Sequence, residues 1–249
     1  SAAASSLPYL ERDSLDYEPL HEWDVDTDRA REIQARLREQ LDLSLPADFS
    51  PGRVAGADMS IGRGESRGHA AFSVHAVPGL ELLEEATASV RVEFPYVPGY
   101  LSFRELPALA EAWLGLEVDP DVVLFDGHGL AHPRRMGLAC HGGLLFDVPA
   151  IGCAKSLLVG EHPPLDSEKG ATAPIYVDEG SGPEQLGAAV RTRSDVSPVY
   201  VSPGHRMDLE TAVDLVLAVS PRYRVPEPIR HADRRVGELR RSQREDRQQ

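Results

Sequence analysis

The chain has 249 residues, a mass of 27.2 kDa and a formal charge of −14 at pH 7. A hydrophobic content of 41% supplies a core of ordinary size, and no apolar stretch approaches the roughly 18 residues that a membrane helix needs. Residues 1–13 lack the basic start and apolar run of a secretion signal, and only Cys140 and Cys153 are cysteines. These features favour a cytoplasmic protein without membrane association or a disulfide framework.

The charge does not exclude a nucleic-acid ligand, because it is unevenly distributed. Residues 1–30 contain eight acids and two arginines, whereas residues 222–249 contain nine arginines and five acids. Only Lys155 and Lys169 are lysines among the 26 basic residues. In so arginine-rich a chain, a lysine either persists by chance or is required as a compact point charge. Lys169 is expected on the surface.

The first half of the chain predicts one helix and three strands. Residues 1–20 are expected to form a flexible acidic tail, and residues 21–249 a single domain. The spacing of apolar residues predicts a helix over 26–43. Alternating and apolar segments predict strands over 53–61, 68–77 and 82–92, joined as an antiparallel meander.

The second half alternates predicted helices and strands. Ser102 and Glu105 match a capping box that opens a helix reaching about Leu116, and a buried strand over 122–125 ends at Asp126. Further strands are predicted at 150–154, 174–177, 187–193 and 199–202, and further helices at 135–144, at 209–220 and from Pro228. The order of elements predicts the α/β class, with a mixed central sheet flanked by helices.

Three acids on three predicted elements indicate a metal site. Asp58 interrupts an apolar strand, where an unpaired carboxylate is costly. Asp126 ends a second apolar strand, and Glu105 lies in the first turn of a helix. Carboxylate oxygens favour Mg²⁺ or Mn²⁺ over zinc. The alternatives are a helix-capping role for Glu105 and a turn role for Asp126 before Gly127.

Two other patterns are less specific. His128 and His132, four residues apart and near Cys140 and His141, invite a zinc interpretation, although the cysteine spacing matches no standard zinc motif. His205 follows a Ser-Pro-Gly turn before a predicted helix. Backbone amides there are able to bind phosphate, or the turn simply starts the helix.

Six segments resemble, in order, the characteristic blocks of the endonuclease V family: VAGADMS (54–60), FPYVPGYLSFRE (94–105), FDGHGLAHPR (125–134), IGCAKS (151–156), VSPGH (201–205) and PEPIR (226–230). The resemblance implies a ribonuclease-H-like fold. It also implies magnesium-dependent hydrolysis, with Mn²⁺ as a substitute, of the second phosphodiester bond 3′ to deoxyinosine. The products would be a 5′ phosphate and a 3′ hydroxyl, and some relatives act on inosine in RNA.

The resemblance also assigns catalytic residues. Asp58, Glu105 and Asp126 match the metal-binding acids of the family, and Lys155 matches its catalytic lysine. Asp233 falls where the family places a further Asp or His near the metals. Without the family match, Asp233 reads as a solvated helix carboxylate.

Substrate recognition is implied for the segment around Tyr96. Tyr96 matches the wedge residue that fills the gap left by a flipped lesion base. Gly99 and Gly127 would let backbone amides approach hypoxanthine, and His132 would contact the lesion or a phosphate. Without the family match, Tyr96 reads as a core residue held by its neighbouring prolines.

The expected partner is DNA containing deoxyinosine, with inosine-containing RNA as a second substrate, and no feature indicates an obligate protein partner. The alternatives are another ribonuclease-H-like nuclease, such as a junction resolvase, and a non-catalytic binder of deaminated bases.

Overall fold

An eight-stranded mixed sheet forms the centre of the computed structural model, which describes residues 16–62, 65–180 and 182–246. In space the strands run β3-β2-β1-β4-β5-β8-β7-β6. Their bounds are β1 (Arg53–Ile61), β2 (Arg67–Ala76), β3 (Leu82–Arg91), β4 (Val122–Phe125), β5 (Ala150–Ala154), β6 (Thr172–Asp178), β7 (Pro183–Val190) and β8 (Val199–Pro203). The helices are α1 (Thr27–Arg38), α2 (Leu101–Trp113), α3 (Leu138–Leu145), α4 (Leu209–Ala218) and α5 (Glu227–Asp246).

The strand directions confirm the predicted mixed sheet. Strands β1, β2 and β3 form an antiparallel meander, β4 pairs parallel to β1, and β5 pairs parallel to β4. The remaining pairs, β5 with β8, β8 with β7 and β7 with β6, are antiparallel. The largest differences from prediction are α1, which ends at Arg38 instead of residue 43, and β7, which begins at Pro183 instead of residue 187. The first residues of β7 are exposed and polar, so they lack the apolar pattern of a buried strand.

The sheet is covered on both faces. Helices α2 and α3 pack on one face, where Ala55 and Ala57 of β1 join the core. Helix α4 and the start of α5 pack on the other face, which Val54 joins. Because neighbouring side chains of a strand point to opposite faces, Asp58 falls on the α5 side of the sheet.

Helix α5 is fixed against β1 by a close backbone contact. A Cβ atom at Gly56 would lie 2.1 Å from the carbonyl carbon of Pro228, so only glycine fits there. The hydroxyl of Ser73 on β2 donates to the Pro228 carbonyl oxygen at 2.7 Å. These contacts determine where α5 crosses the sheet, and therefore where Asp233, five residues later, is placed.

The segment before α1 packs on the domain from its first described residues. Residues 1–15 of the predicted tail lie outside the described residues. Tyr17 makes an edge contact with Phe146 at a centroid distance of 6.1 Å, and Leu20 packs against the core. Among the described residues, none of the helices combines the length and the apolar character needed to cross a bilayer.

We expect Gly56→Ala to lower the free energy of unfolding by about 1–3 kcal/mol, because the added methyl group overpacks the α5 contact. Gly79→Ala is the matched control, since its Cβ would meet nothing within 4 Å. Urea denaturation of both variants measures the difference. Equal stabilities would show that α5 is not fixed by this contact.

Candidate active site

Asp58 and Asp126 lie side by side because β1 and β4 pair in parallel. The register aligns Ala57 of β1 with Phe125 of β4. Asp58 directly follows Ala57, and Asp126 directly follows Phe125. The Asp126 amide also donates to the Ala57 carbonyl oxygen at 3.1 Å, which extends the ladder to the acid itself. Asp58 is only 8% exposed. The sheet therefore brings two carboxylates together in a largely buried position.

This arrangement strongly perturbs Asp58. Burial, followed by the charges of Asp126 and Asp233, raises the pKa of Asp58 to about 8, although the charge of Lys155 opposes the shift. A hydrogen bond between the Asp58 and Asp126 side chains also raises this pKa. A proton on Asp58 relieves the repulsion between the two carboxyl groups. A site of this kind favours any cation that can take the place of the proton.

Glu105 belongs to the same electrostatic cluster, and its predicted capping-box role is wrong. Helix α2 starts at Leu101 with Tyr100 as a cap that makes no side-chain hydrogen bond. Ser102 instead lies inside the helix, and its hydroxyl pairs with Nδ1 of His141 at 3.0 Å. Burial and the charges of Asp58 and Asp126 raise the pKa of Glu105 well above its usual value.

Lys155 and Asp233 complete the group of charges. Lys155 follows β5, and its Nζ donates to Oδ2 of Asp126 at 2.5 Å. Burial lowers the pKa of Lys155, but the charge and hydrogen bond of Asp126 outweigh it and the net pKa is raised. Asp233 is exposed on α5, and its negative charge contributes to the raised pKa of both Asp58 and Lys155. All five sequence-predicted catalytic residues are thus electrostatically linked through Asp58, Asp126 or both.

The chemistry of these side chains fits a divalent cation. The acids offer only carboxylate oxygens, the ligands that Mg²⁺ and Mn²⁺ prefer. Burial and neighbouring carboxylates raise the pKa of Asp58 and Glu105, so a nearby positive charge would stabilise their ionised forms. As they stand, no three His, Cys, Asp or Glu side chains in the described parts of the chain are close enough together to hold a metal ion. Asp126 is paired with Lys155 instead.

A cavity of about 270 Å³ lies directly beside the acids. Its walls include Asp126, Gly127 and Lys155 together with the segment from Tyr96 to Gly99. This size is close to the lower end of small-molecule sites, roughly 300 Å³. Tyr96 is 72% exposed, so the alternative of a core tyrosine is wrong. An exposed aromatic ring at the wall of a cavity is available for stacking.

His132 contacts Gly99 and leaves no free ring nitrogen. Its Nε2 pairs with the Gly99 carbonyl oxygen at 2.9 Å, and its Nδ1 accepts from the Arg134 amide at 3.1 Å. Burial lowers the pKa of His132 to about 4, so the ring is neutral at physiological pH and donates through Nε2. The structure thus places His132 against Gly99, and its contact with the lesion or a phosphate stays a prediction.

The zinc interpretation is wrong. The candidate ligands other than His132 have different partners. Nε2 of His128 pairs with the Ser156 carbonyl oxygen at 3.0 Å, and Nε2 of His141 pairs with Nε2 of His21 at 2.8 Å. Cys140 is fully buried, and its Sγ lies 3.8 Å from the Pro203 carbonyl oxygen.

Gly127 lies where it was expected, at the cavity wall, but its amide is already engaged. The amide donates to the Phe125 carbonyl oxygen at 2.8 Å. A Cβ at this position would lie 3.1 Å from Cδ2 of Leu138, so the missing side chain allows close packing of α3.

His205 and Lys169 both have structural partners. His205 is buried and its Nδ1 accepts from the Asp42 amide at 3.3 Å, while Asp208 caps the following helix through the Thr211 amide. An acidic cap makes that helix start unfavourable for phosphate. Lys169 is exposed, as predicted, and donates to the Ser220 carbonyl oxygen at 2.8 Å.

Comparison with known proteins agrees with this geometry. The profile of the endonuclease V family matches residues 35–234. Endonuclease V of Myxococcus xanthus is 58% identical over 220 residues, which cover 88% of this chain and 92% of the relative. This chain belongs to the endonuclease V family.

Solved structures of endonuclease V are similar over almost their whole length. The Streptomyces avermitilis protein is 39% identical with a TM-score of 0.81, covering 90% of this chain and 96% of its own. The Ciona intestinalis endonuclease V, solved with a 24mer DNA containing an inosine followed by a ribo-adenosine, is 27% identical with a TM-score of 0.75. That alignment covers 86% of this chain and 98% of the Ciona chain.

Sequence analysis missed two kinds of supporting residue in this endonuclease V chain. Arg224 donates to the Lys155 carbonyl oxygen at 2.6 Å and so fixes the backbone of the lysine. Gln34, one residue before the family match begins, is fully buried and donates to the Gly99 carbonyl oxygen. A glutamine within the apolar face between Ile33 and Leu37 was the available indication of its role.

We expect Asp58→Asn to stabilise the metal-free protein by about 1–2 kcal/mol at pH 8, because it removes a buried charge from the cluster. The folded state holds the Asp58 proton up to about pH 8, whereas an unfolded aspartate loses it near pH 4. The unfolded chain therefore binds fewer protons between roughly pH 4 and 8, and wild-type stability falls as pH rises through that window.

Urea denaturation in EDTA at pH 5 and pH 8 measures this effect, which should be larger at pH 8. Asp214→Asn, at an exposed position on α4, is the control and should show no pH-dependent difference. A variant less stable than wild type at pH 8 would contradict the proposed repulsion.

Proposed function

We propose that this chain is a DNA-repair endonuclease that hydrolyses the second phosphodiester bond 3′ to deoxyinosine, leaving a 5′ phosphate and a 3′ hydroxyl. One observation carries this proposal: Asp126 and Lys155 of the acidic cluster line the same cavity as Tyr96. Family membership and the inosine-containing DNA bound by the Ciona protein support the substrate. Inosine in RNA is the second candidate substrate.

We further propose Mg²⁺ as the cofactor, with Mn²⁺ as a substitute, held by Asp58, Asp126 and Glu105. A bound divalent cation supplies Lewis acidity toward water and the scissile phosphate. A cation held there would take the place of the proton on Asp58 and would offset the repulsion among the carboxylates. Asp233, exposed beside the cluster, adds negative charge on the α5 side.

Lys155 has a separate role in this scheme. Its Nζ reaches the cluster from β5 and also lines the cavity, so it can interact with Asp126 or with a phosphate oxygen. Its raised pKa keeps it protonated at neutral pH. A fixed ammonium group at this place stabilises negative charge that develops on the phosphate in the transition state.

Tyr96 is proposed as the wedge that replaces the flipped base. Taking a base out of the stack costs a few kcal/mol, and stacking on an aromatic ring recovers about 1–3 kcal/mol. The ring is 72% exposed and lies at the wall of the cavity that would receive the base. Gly99 and Gly127 line the same cavity, and His132 is hydrogen-bonded to the Gly99 carbonyl oxygen.

We expect magnesium-dependent nicking of an inosine-containing strand and none of a matched adenine-containing strand. Asp58→Asn should lower nicking at least about 100-fold while inosine-dependent binding is retained. The assay compares DNA and RNA strands with and without inosine, and a four-way junction. Preference for the junction would favour a resolvase, and undiminished function in Asp58→Asn would favour a non-catalytic binder.

We expect Tyr96→Ala to weaken binding to the inosine strand by about tenfold, and binding to the undamaged strand much less, because only the lesion complex uses the wedge. Fluorescence anisotropy in the non-cutting Asp58→Asn background measures both affinities. Tyr223→Ala, another exposed tyrosine, is the control. Equal losses of affinity for the two strands would count against the wedge role.

A further inference from the structure

The Gly99 carbonyl oxygen receives three side-chain donors. Nε2 of Gln34 lies at 3.1 Å, Nε2 of His132 at 2.9 Å, and the Arg134 guanidinium at 2.5 Å. A carbonyl oxygen has two lone pairs, so three donors on one acceptor are more than its ordinary complement. Gly99 itself has a φ of +82°, a conformation that favours glycine. The donors therefore converge on the turn that follows Tyr96 by three residues.

Gln34 connects these donors to each other. Its side chain is 0% exposed, its Oε1 accepts from Nε of Arg134 at 2.6 Å, and its Nε2 also lies 3.4 Å from the Met136 carbonyl oxygen. One amide thus joins α1, the turn at Gly99 and the segment after Asp126. Burying a polar amide is costly unless it is hydrogen-bonded, and here both ends of the amide have partners.

The other end of the Tyr96 segment is also held. Arg104 of α2 donates to the Phe94 carbonyl oxygen at 2.6 Å. The Arg134 guanidinium lies 4.2 Å from the ring centroid of Tyr100, which adds a cation–π contact beside Gly99. Between these two anchored ends, Tyr96 is largely exposed. The segment is therefore fixed at both ends and presents its aromatic ring between them.

We propose that Gln34 is a positioning residue that sets inosine discrimination by holding the Gly99 turn, together with Arg134. It touches neither the acids nor the cavity, so its effect passes through Gly99 to Tyr96. Holding the turn in place before binding removes an ordering cost from the lesion complex. This inference rests on the proposed function for its kinetic part, whereas its structural part can be tested without any substrate.

The structural test is amide hydrogen exchange of Gln34→Met, in which a side chain of similar length replaces the amide without leaving a cavity. We expect faster exchange in residues 94–101 and unchanged exchange in β1 and β4. Gln243→Met is the matched control, because it also removes a hydrogen-bonded side-chain amide. Gln243 lies on α5, and its Oε1 pairs with Nε2 of His69 on β2 at 2.9 Å. Unchanged protection of residues 94–101 in Gln34→Met would overturn the proposal.

The functional test compares discrimination, defined as the ratio of affinities for inosine-containing and undamaged strands in the Asp58→Asn background. We expect Gln34→Met to lower this ratio about tenfold, because the Gly99 turn then has to be ordered when the lesion strand binds. In the cutting enzyme, KM for the inosine strand should rise by a similar factor with kcat changed less than about threefold. An unchanged ratio, or a fall in kcat alone, would overturn the proposal.

Combining variants distinguishes a positioning role of Gln34 from a general structural defect caused by its substitution. If Gln34 acts through Tyr96, then Gln34→Met should cause no further loss of discrimination in a Tyr96→Ala background, whereas independent effects would multiply. Gln34→Glu provides a second variant if Gln34→Met does not fold, since it keeps an acceptor for Arg134 but replaces the donor to the Gly99 and Met136 carbonyl oxygens by a carboxylate oxygen. Full, multiplicative losses would assign Gln34 to general stability instead. If the wild-type protein does not recognise inosine, the proposed function fails, and the exchange experiment still decides whether Gln34 holds the turn.

Discussion

The parallel pairing of β1 with β4 is the constraint on which the rest of the structure depends. It aligns Ala57 with Phe125 and so places Asp58 beside Asp126 in a buried position. Two carboxylates in such a place oppose folding, and the raised pKa of Asp58 expresses that cost. The extensive apolar packing on both faces of the sheet stabilises the fold despite this repulsion. The site is thus a local instability supported by a large core, as is common at functional sites.

The remaining charges reach the pair from three directions, and each is positioned by a different local feature. The bare Cα of Gly56 lets α5 approach β1 and brings Asp233 near the pair. The early start of α2 at Leu101 frees Glu105 from a capping role. Strand β5 delivers Lys155, whose backbone Arg224 holds. The cluster therefore results from the strand order: β1, β4 and β5 are neighbours in the middle of the sheet, and α2 and α5 approach them from the two faces.

Sequence predicted most of the fold because apolar periodicity and strand length depend on local pattern. It failed where the outcome depends on tertiary contacts. Ser102 and Glu105 matched a capping box, yet the hydroxyl of Ser102 pairs with His141 from another helix. Sequence also did not reveal that both ring nitrogens of His132 are hydrogen-bonded, one to Gly99 and one to Arg134. Gln34 received no role, since the partners of a buried amide are set by packing that its own helix does not reveal.

The acid pair and the Tyr96 segment are held in place by different kinds of contact, and this has a consequence for specificity. The acids Asp58 and Asp126 lie on adjacent strands, where the backbone ladder fixes their spacing. The Tyr96 segment has no such ladder and depends on side-chain donors, chiefly at the Gly99 carbonyl oxygen. With the proposed role of Tyr96, substitutions among those donors are expected to change which strand is recognised while leaving the carboxylate spacing intact. The proposed recognition residues are separable from the two acids because the former belong to a loop held by side chains, whereas the spacing of the latter is set by paired backbones.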